Sequence, residues 1–227
     1  MKKGAIIISL GGSLIVPGDI NTKFLRSFKK LIEKHVRRGR RFAIICGGGG
    51  TARRYQTSAR KIVQLTRKDI DWIGIHGTRL NAHLLRAIFY KIAHQRIIKN
   101  PLSPMSLHKP VLIAAGWRPG CSTDYDAVLL ARRLRARTII NLTNIDFVYD
   151  KDPRKFKNAH LIKEISWRAF RAMLPSRWDP GLNAPFDPIA SKLAHKLGLE
   201  VVIMNGRKLG NFERYLLGKR FVGTRII

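Results

Sequence analysis

Short runs of β-branched and other apolar residues alternate with longer amphipathic stretches along almost the whole chain. The beginning shows the pattern, with an apolar run at 5–10, a helical pattern at about 21–38 and a second apolar run at 42–46. Short apolar runs predict buried strands, and apolar residues that recur every three or four positions predict helices. Strands separated by helices form mostly parallel sheets that are covered on both faces. The sequence therefore predicts an α/β fold around a mostly parallel central sheet.

The same interpretation extends over the rest of the chain. Further strands are predicted at 72–75, 111–115, 138–142 and 201–204, and further helices at about 51–66, 78–94, 124–134, 166–173 and 188–197. Stretches that contain proline, at 100–110 and 175–188, are interpreted as surface loops. Because no repeat, low-complexity segment or linker divides the sequence, residues 1–227 are interpreted as a single domain.

Three of the predicted strands lead into helices through turns that contain glycine. These turns are the run 10–13, the run 46–51 with its four consecutive glycines, and the run 116–124. The carboxyl ends of parallel strands lie along one edge of the sheet, where α/β proteins bind their ligands. Glycine lets the backbone approach a phosphate closely, and the helix that follows offers free N–H groups. The three turns therefore predict a site that can hold more than one phosphate.

Several well-known motifs are missing from the sequence. It contains no P-loop signature, no dinucleotide-binding fingerprint with its acidic residue, no zinc-protease motif and no nucleophile elbow. The longest apolar runs are far shorter than the roughly 20 residues of a membrane-spanning helix. The N-terminal apolar run is too short for a signal peptide, and Cys46 and Cys121 are not spaced as a metal or redox pair. We therefore expect a cytoplasmic protein with reduced cysteines.

The chain is unusually basic, with 44 Lys and Arg against 14 Asp and Glu and a net charge of +30. Such a charge attracts polyanions, so nucleic acids and phosphorylated small molecules are both candidate partners. A solvated basic surface is the simplest interpretation, because the sequence has no RNA-recognition, zinc-finger or basic-region motif. Non-specific binding of nucleic acid stays open. Five of the 14 acids lie within 124–152, which indicates either a metal–nucleotide site or a set of helix caps.

Several blocks of residues follow one another along nearly the whole chain and resemble the amino acid kinase family. Within that family they are most similar to the uridylate kinases of the archaeal type. The blocks are Leu10-Gly11-Gly12-Ser13, Gly47-Gly48-Gly49 with Ala52-Arg53, Asp71-Trp72-Ile73-Gly74-Ile75, Pro119-Gly120 with Ser122-Thr123-Asp124, Thr143-Asn144-Ile145-Asp146 with Val148-Tyr149 and Asp152-Pro153, Asp187-Pro188, and Gly223-Thr224.

The resemblance implies a three-layer αβα sandwich that transfers the γ-phosphoryl group of Mg²⁺-ATP to UMP. It implies that Arg53 and Asp187 belong to the catalytic centre, and no protein ligand to a metal is predicted. The implied ATP-binding residues are Gly12, Ser13, Gly49, Arg53, Thr143, Asn144, Tyr149 and Asp152. The implied UMP-binding residues are Gly48, Asp71, Trp117, Arg118, Pro119, Gly120, Cys121, Ser122 and Thr123. A homo-oligomer, typically a hexamer, is also implied.

The sequence departs from the family pattern at three positions. Ser9 and Gly50 stand where relatives can carry lysine, and Phe147 replaces a usual glycine. Two alternatives therefore stay open. One is a kinase of the same fold that acts on another small phosphate or carboxylate, as isopentenyl phosphate and acetylglutamate kinases do. The other is a catalytically weak relative that binds anions or nucleic acid.

Overall fold

The structure is a computed structural model that describes residues 4–105, 108–175 and 184–227. Its strands are β1 (Ile6–Leu10), β2 (Phe42–Cys46), β3 (Val111–Ala114), β4 (Thr138–Thr143), β5 (Val148–Tyr149), β6 (Leu161–Ile162), β7 (Glu164–Ile165), β8 (Glu200–Asn205) and β9 (Thr224–Ile226). Its helices are α1 (Gly12–Ile15), α2 (Thr22–Arg37), α3 (Gly49–Ile62), α4 (Arg67–Ile88), α5 (Thr123–Arg133), α6 (Trp167–Ala172), α7 (Pro188–Lys196) and α8 (Leu209–Leu216). The loop predicted at 175–188 lies largely outside the described residues.

Seven strands form the central sheet in the order β3-β2-β1-β4-β8-β9-β7. The five strands from β3 to β8 are all parallel, β9 runs antiparallel to β8, and β7 runs parallel to β9. The predicted mostly parallel sheet is therefore confirmed. A separate two-stranded ribbon pairs β5 with β6.

Each face of the sheet carries its own hydrophobic core. One core packs α2, α4 and α8 against the sheet around Phe28, Phe89 and Phe212. The other packs α5, α6 and α7 against the opposite face around Phe170 and Phe186. All five phenylalanines are fully buried, as the central strands are, which is why those strands appear as continuous apolar runs in the sequence. The three-layer αβα sandwich is confirmed.

The strand predicted at 72–75 is wrong, because this segment lies inside α4. Thr66 caps that helix by accepting a hydrogen bond from the Asp69 N–H, and the helix then continues without a break to Ile88. Its buried residues include Ile75, Thr78, Ala82 and Leu85, at the spacing of three and four that marks one helix face. A short apolar run is compatible with both a strand and a buried helix segment, and only the longer pattern around 72–75 indicates the helix.

Two elements near the C-terminus were not predicted. Helix α8 packs on α2, and β9 joins the sheet between β8 and β7. Strand β9 has only three residues, and one of them is the buried polar Thr224. Its side chain accepts a hydrogen bond from the Val148 N–H and donates to the Ile162 carbonyl, so tertiary contacts and not an apolar run define the strand.

A candidate phosphate-transfer site at the carboxyl edge of the sheet

The glycine turns after β1 and β2 touch each other at the carboxyl edge of the sheet. A Cβ atom on Gly12 would lie 2.1 Å from the Gly49 amide nitrogen and 2.6 Å from the Gly47 carbonyl carbon. Gly49 has a φ of +57°, and a Cβ there would lie 2.1 Å from the Gly12 carbonyl oxygen. Neither position can hold a side chain, so the two turns form one continuous backbone surface.

Helix α3 begins within this surface, and glycine at its N-cap position leaves it without a side-chain cap. Helices α2, α4, α5, α6 and α7 are instead each capped by a side chain, from Asn21, Thr66, Ser122, Ser166 and Asp187 respectively. The first N–H groups of an uncapped helix remain available to a ligand, and the helix dipole favours an anion there.

Asn81 on α4 fixes the shape of the second glycine turn. Its side-chain amide donates to the carbonyl oxygens of Gly47 and Gly48 at 2.8 and 3.0 Å, and its Oδ1 accepts from the Thr51 hydroxyl at 3.1 Å. Asn81 is buried, so removing it would leave buried polar groups without partners. Sequence analysis missed this residue, because one asparagine in an amphipathic helix carries no distinguishing signal.

A cavity of about 400 Å³ opens beside the glycine turns, between α3, α4 and the loop at 116–123. Eight of the predicted site residues line it: Gly48, Gly49, Arg53, Asp71, Cys121, Ser122, Thr123 and Asp187. Both predicted catalytic residues, Arg53 and Asp187, therefore line the cavity. Five of the nine predicted UMP-binding residues line it too. Trp117, Arg118, Pro119 and Gly120 belong to the same loop but do not line the cavity.

The loop at 116–123 is held across the cavity by groups on α4. The Gly120 N–H donates to Oδ2 of Asp71 at 2.9 Å, and Arg79 donates to the Trp117 carbonyl at 2.9 Å. At the start of the loop, the Gly116 N–H donates to the Thr78 hydroxyl at 2.8 Å. Asp71 thus faces the loop that the resemblance assigns to the acceptor. Sequence analysis did not predict that Thr78 and Arg79 hold this loop.

Three aspartates lie behind the loop, of which Asp126 and Asp187 are buried and Asp124 is partly exposed. Asp126 accepts the Trp117 N–H at 3.0 Å through one oxygen, while its other oxygen is buried without a hydrogen-bond partner among the described residues. Burial raises the pKa of Asp126 to about 7. Burial and the neighbouring Asp187 likewise raise the pKa of Asp124 to about 7, although Asp124 accepts a hydrogen bond from Ser9 at 3.0 Å.

Asp187 connects this group to α7. Its carboxylate accepts the Ala190 N–H at 2.6 Å and a hydrogen bond from Ser122, and its own N–H donates to Asp124 at 3.3 Å. Burial raises the pKa of Asp187 above its usual range. The residue is both a helix cap and part of the cavity wall.

Arg53 and Gly50 explain one departure from the family pattern. A Cβ on Gly50 would lie 2.8 Å from the Val16 carbonyl oxygen and 3.0 Å from that of Pro17. A lysine cannot occupy this position unless the backbone after β1 moves. Arg53, one turn later on α3, is exposed and donates to the Pro17 carbonyl at 3.2 Å. It is therefore the cation that α3 presents at the cavity.

Of the eight residues predicted for the donor nucleotide, Gly49 and Arg53 line this cavity and the other six do not. The Gly11 N–H donates to the Leu142 carbonyl at 2.9 Å, which places Gly12 and Ser13 next to the end of β4. Thr143 and Asn144 follow directly, with the Thr143 hydroxyl 3.3 Å from the Asn144 side-chain oxygen. Tyr149 lies on β5, and the partly exposed Asp152 pairs with Arg154 at 3.0 Å.

The described residues contain no group of three His, Cys, Asp or Glu side chains arranged to hold a metal ion. Mg²⁺ in kinases is held by one or two carboxylates together with water and substrate phosphates. Asp124 and Asp187 are carboxylates of the kind that bind such an ion, and Mg²⁺ would contribute charge neutralisation when bound with ATP.

Among the described helices, none has the length and apolar content that a membrane crossing requires.

Comparison with known proteins agrees with this architecture. The model of the amino acid kinase family matches residues 4–205, and the chain belongs to that family. It is 34% identical to "Uridylate kinase" of Thermoplasma acidophilum, covering 98% of this chain and 96% of the relative. It is 32% identical to the protein of the same name from Sulfurisphaera tokodaii, with 94% and 95% covered.

Solved structures give the same result. Uridylate kinase from Archaeoglobus fulgidus superposes with a TM-score of 0.83 at 30% identity, covering 98% of this chain and all of that one. UMP kinase from Bacillus anthracis shares the fold with a TM-score of 0.77 at 22% identity, covering 98% and 95%.

Proposed function

We propose that this protein transfers the γ-phosphoryl group of Mg²⁺-ATP to the phosphate of UMP, giving UDP and ADP. The observation that carries the proposal is the cavity between the uncapped start of α3 and Asp71. One end of the cavity offers backbone N–H groups and Arg53 to a phosphate, and the other end offers a carboxylate. A nucleoside monophosphate has the matching groups, a phosphate at one end and sugar hydroxyls at the other.

The reaction needs little covalent chemistry from the protein. A phosphate monoester has its second pKa near 6, so the acceptor is already a dianion near neutral pH and needs no general base. An oxygen of the UMP phosphate forms a bond to the γ-phosphorus, and the bond from that phosphorus to the β–γ bridging oxygen breaks. ADP leaves with the electron pair of the broken bond. The chain's task is to align the two phosphates and stabilise their charge.

The proposed roles follow from the contacts at the site. Gly48 and the first N–H groups of α3 bind the acceptor phosphate, and Gly49 with Arg53 lies where the two nucleotides meet. Asp71 accepts hydrogen bonds from the ribose hydroxyls, because a carboxylate can accept two at once. Asp187 positions the loop at 116–123 through Ser122 and Asp124.

The donor nucleotide is assigned to the neighbouring turns. Gly12 and Ser13 contact its phosphates, while Thr143, Asn144, Tyr149 and Asp152 hold its adenosine part. These residues lie beside the end of β4, so a nucleotide bound there directs its γ-phosphate towards Gly49. The names of the relatives support ATP and UMP as the two substrates.

The proposal has three further parts. Residues 1–227 act as a single domain, the enzyme works in the cytoplasm in pyrimidine nucleotide synthesis, and the chain assembles into a homohexamer. Exposed apolar side chains on α3 and just beyond it, among them Tyr55, Ile62 and Val63, support an oligomer interface. Light scattering after size exclusion should give six times the 25.8 kDa chain mass, and a monomer would contradict the assembly.

The test of the reaction is ADP release from Mg²⁺-ATP with UMP, CMP, AMP, GMP and isopentenyl phosphate offered separately. We expect turnover with UMP far above that with the purine nucleotides and isopentenyl phosphate. Turnover with isopentenyl phosphate alone would show that isopentenyl phosphate, and not UMP, is the acceptor. No turnover with any acceptor would favour the anion-binding alternative.

A further inference from the structure

The edge of the sheet opposite the cavity is strongly basic. Here the amino ends of the parallel strands lie side by side, with Phe42 paired to Ile6, Ile7 to Ile139 and Thr138 to Glu200. The segments that enter β2 and β4 carry arginines at 37–41 and 132–137. We define the basic edge as six of them: Arg37, Arg38, Arg132, Arg133, Arg135 and Arg137.

All six arginines of the basic edge are exposed, and none forms an ion pair within the described part of the chain. The carboxylates on adjoining elements are already engaged. Glu213 pairs with Lys34 at 2.7 Å, and Glu200 pairs with Arg225 at 2.8 Å. The positive charge of this edge is therefore not neutralised by the neighbouring acids.

One of these arginines occupies a backbone position that favours glycine. Helices α2, α5, α7 and α8 all end with the same pair of hydrogen bonds, in which the chain turns through a residue with positive φ. That residue is Gly39, Gly198 and Gly218 after α2, α7 and α8, but it is Arg135, with a φ of +52°, after α5. A side chain in this conformation is strained. The chain therefore accepts backbone strain where arginine replaces glycine on the basic edge.

We propose that the basic edge binds the phosphodiester backbone of a nucleic acid. Arginine is suited to phosphate, since its planar guanidinium donates two parallel hydrogen bonds. The arginines at the end of α2 and those at the end of α5 lie on opposite faces of the sheet at this one edge, so a strand of nucleic acid that crosses the edge can contact both groups through several phosphates. No aromatic residue lies within 37–41 or 132–137, so recognition is independent of base sequence.

This surface is separate from the phosphate-transfer site. The central strands have five or six residues, so about 16 Å of sheet separates the two edges. A membrane surface is disfavoured, because interfacial binding combines basic residues with an apolar face that enters the bilayer. No large apolar side chain is exposed within 37–41 or 132–137.

The test measures binding of a fluorescent 20-nucleotide RNA of mixed sequence by anisotropy at 50 and 200 mM NaCl. A duplex DNA of the same sequence and vesicles of phosphatidylcholine with phosphatidylserine form the other arms. Replacing Arg37, Arg38, Arg132 and Arg133 by glutamine should weaken RNA binding at least tenfold. The slope of log K against log salt should fall by about 3, because each phosphate contact contributes about 0.7 for a single strand.

The matched control replaces four exposed basic residues far from this edge, Arg60, Lys61, Lys68 and Lys155, by glutamine. It removes the same charge, and we expect RNA affinity within twofold of the unchanged protein. Equal losses in the two quadruple variants would overturn the proposal, because total charge and not this edge would then govern binding. Binding to the vesicles but not to RNA or DNA would overturn it in favour of a membrane surface.

Arg135→Gly is a variant that keeps the fold intact, because glycine relieves the backbone strain. We expect its Tm to rise while its RNA affinity falls two- to fivefold. Saturating Mg²⁺-ATP and UMP should leave RNA binding unchanged. Displacement of RNA by these nucleotides, or unchanged RNA affinity in Arg135→Gly, would contradict binding at this edge.

Discussion

The two halves of the proposed active site are built in different ways. The acceptor half, together with the junction where the two nucleotides meet, consists of backbone in direct contact with backbone, as at Gly12 and Gly49, with buried polar side chains such as Asn81 behind it. The donor half consists of side chains on a turn and on or beside a two-stranded ribbon, among them the exposed Asn144 and the partly exposed Asp152. Changes in the acceptor half should therefore affect both the fold and the chemistry, whereas changes in the donor half should mainly weaken nucleotide binding.

The largest effect is expected from Gly49→Ala, which tests whether the acceptor half depends on backbone contact. A Cβ there would lie 2.1 Å from the Gly12 carbonyl, at a φ of +57°. We expect a loss of about 3 kcal/mol of stability from overpacking and strain. Misalignment of the phosphates should lower kcat at least ~100-fold. The measurements are chemical denaturation and steady-state kinetics.

Gly210→Ala is the control for this change, because no atom lies within 4 Å of the added Cβ and the position is helical. It should leave kcat unchanged and stabilise α8 slightly. If Gly49→Ala retained full stability and kcat, the contact between the two turns would not be essential.

The second largest effect is expected from Asp71→Asn, which distinguishes binding of UMP from binding of ATP. Asp71→Asn keeps an oxygen that can accept the Gly120 N–H but removes the negative charge that binds the ribose. We expect the KM for UMP to rise ~10- to 100-fold, since hydrogen bonds to a charged group contribute about 1.5–3 kcal/mol. The KM for ATP should stay within twofold. Asp69→Asn, two residues earlier on α4 and outside the cavity, is the control and should change neither constant.

The third effect concerns the buried aspartates of the acceptor half. The pKa of Asp126 is raised from 3.8 to about 7, so the folded state keeps its proton while the unfolded state releases it. Stability should therefore fall as pH rises from about 4 to 7. Between pH 5 and 8, the raised pKa of Asp126 should lower the free energy of unfolding by about 2 kcal/mol. Asp126→Asn removes that part of the pH dependence, which thermal unfolding of both proteins at the two pH values would measure. Parallel pH profiles would contradict the assignment.

The smallest effect is expected in the donor half. Tyr149→Leu removes the aromatic ring proposed to contact adenosine, and we expect the KM for ATP to rise ~5-fold, equivalent to about 1 kcal/mol. The KM for UMP and the Tm should change little. Phe156→Leu, in the loop that joins β5 to β6, is the matched control. A large loss of stability in Tyr149→Leu would show that the donor half is as tightly packed as the acceptor half.

Much of the fold could be predicted because its signal is local. Buried parallel strands such as β1 and β2 are continuous apolar runs, and glycines mark the turns that follow them. Strand β9 and the true start of α4 could not be found in this way. The first depends on the pairing of Thr224 with distant backbone, and the second on a pattern longer than the apolar run at 72–75.

In the acceptor half, sequence analysis predicted the residues that belong to recognisable motifs. Gly48, Gly49, Arg53 and Asp71 line one cavity, although they come from different elements. The residues that support them were missed, because Asn81 and Asp126 act through contacts with residues up to 34 positions away along the chain, which no motif records. The roles of the donor residues rest on the resemblance and await the kinetic tests.

The most direct test of the account is protection of Cys121 from alkylation by UMP. Cys121 lines the proposed acceptor cavity, while the other cysteine, Cys46, is buried in β2. Iodoacetamide labelling at pH 8.5, followed by peptide mass spectrometry, would give the modification rate of Cys121. The account predicts that UMP slows this rate at least tenfold and that ADP alone does not. Protection by ADP with no effect of UMP would place the donor in this cavity and contradict the account.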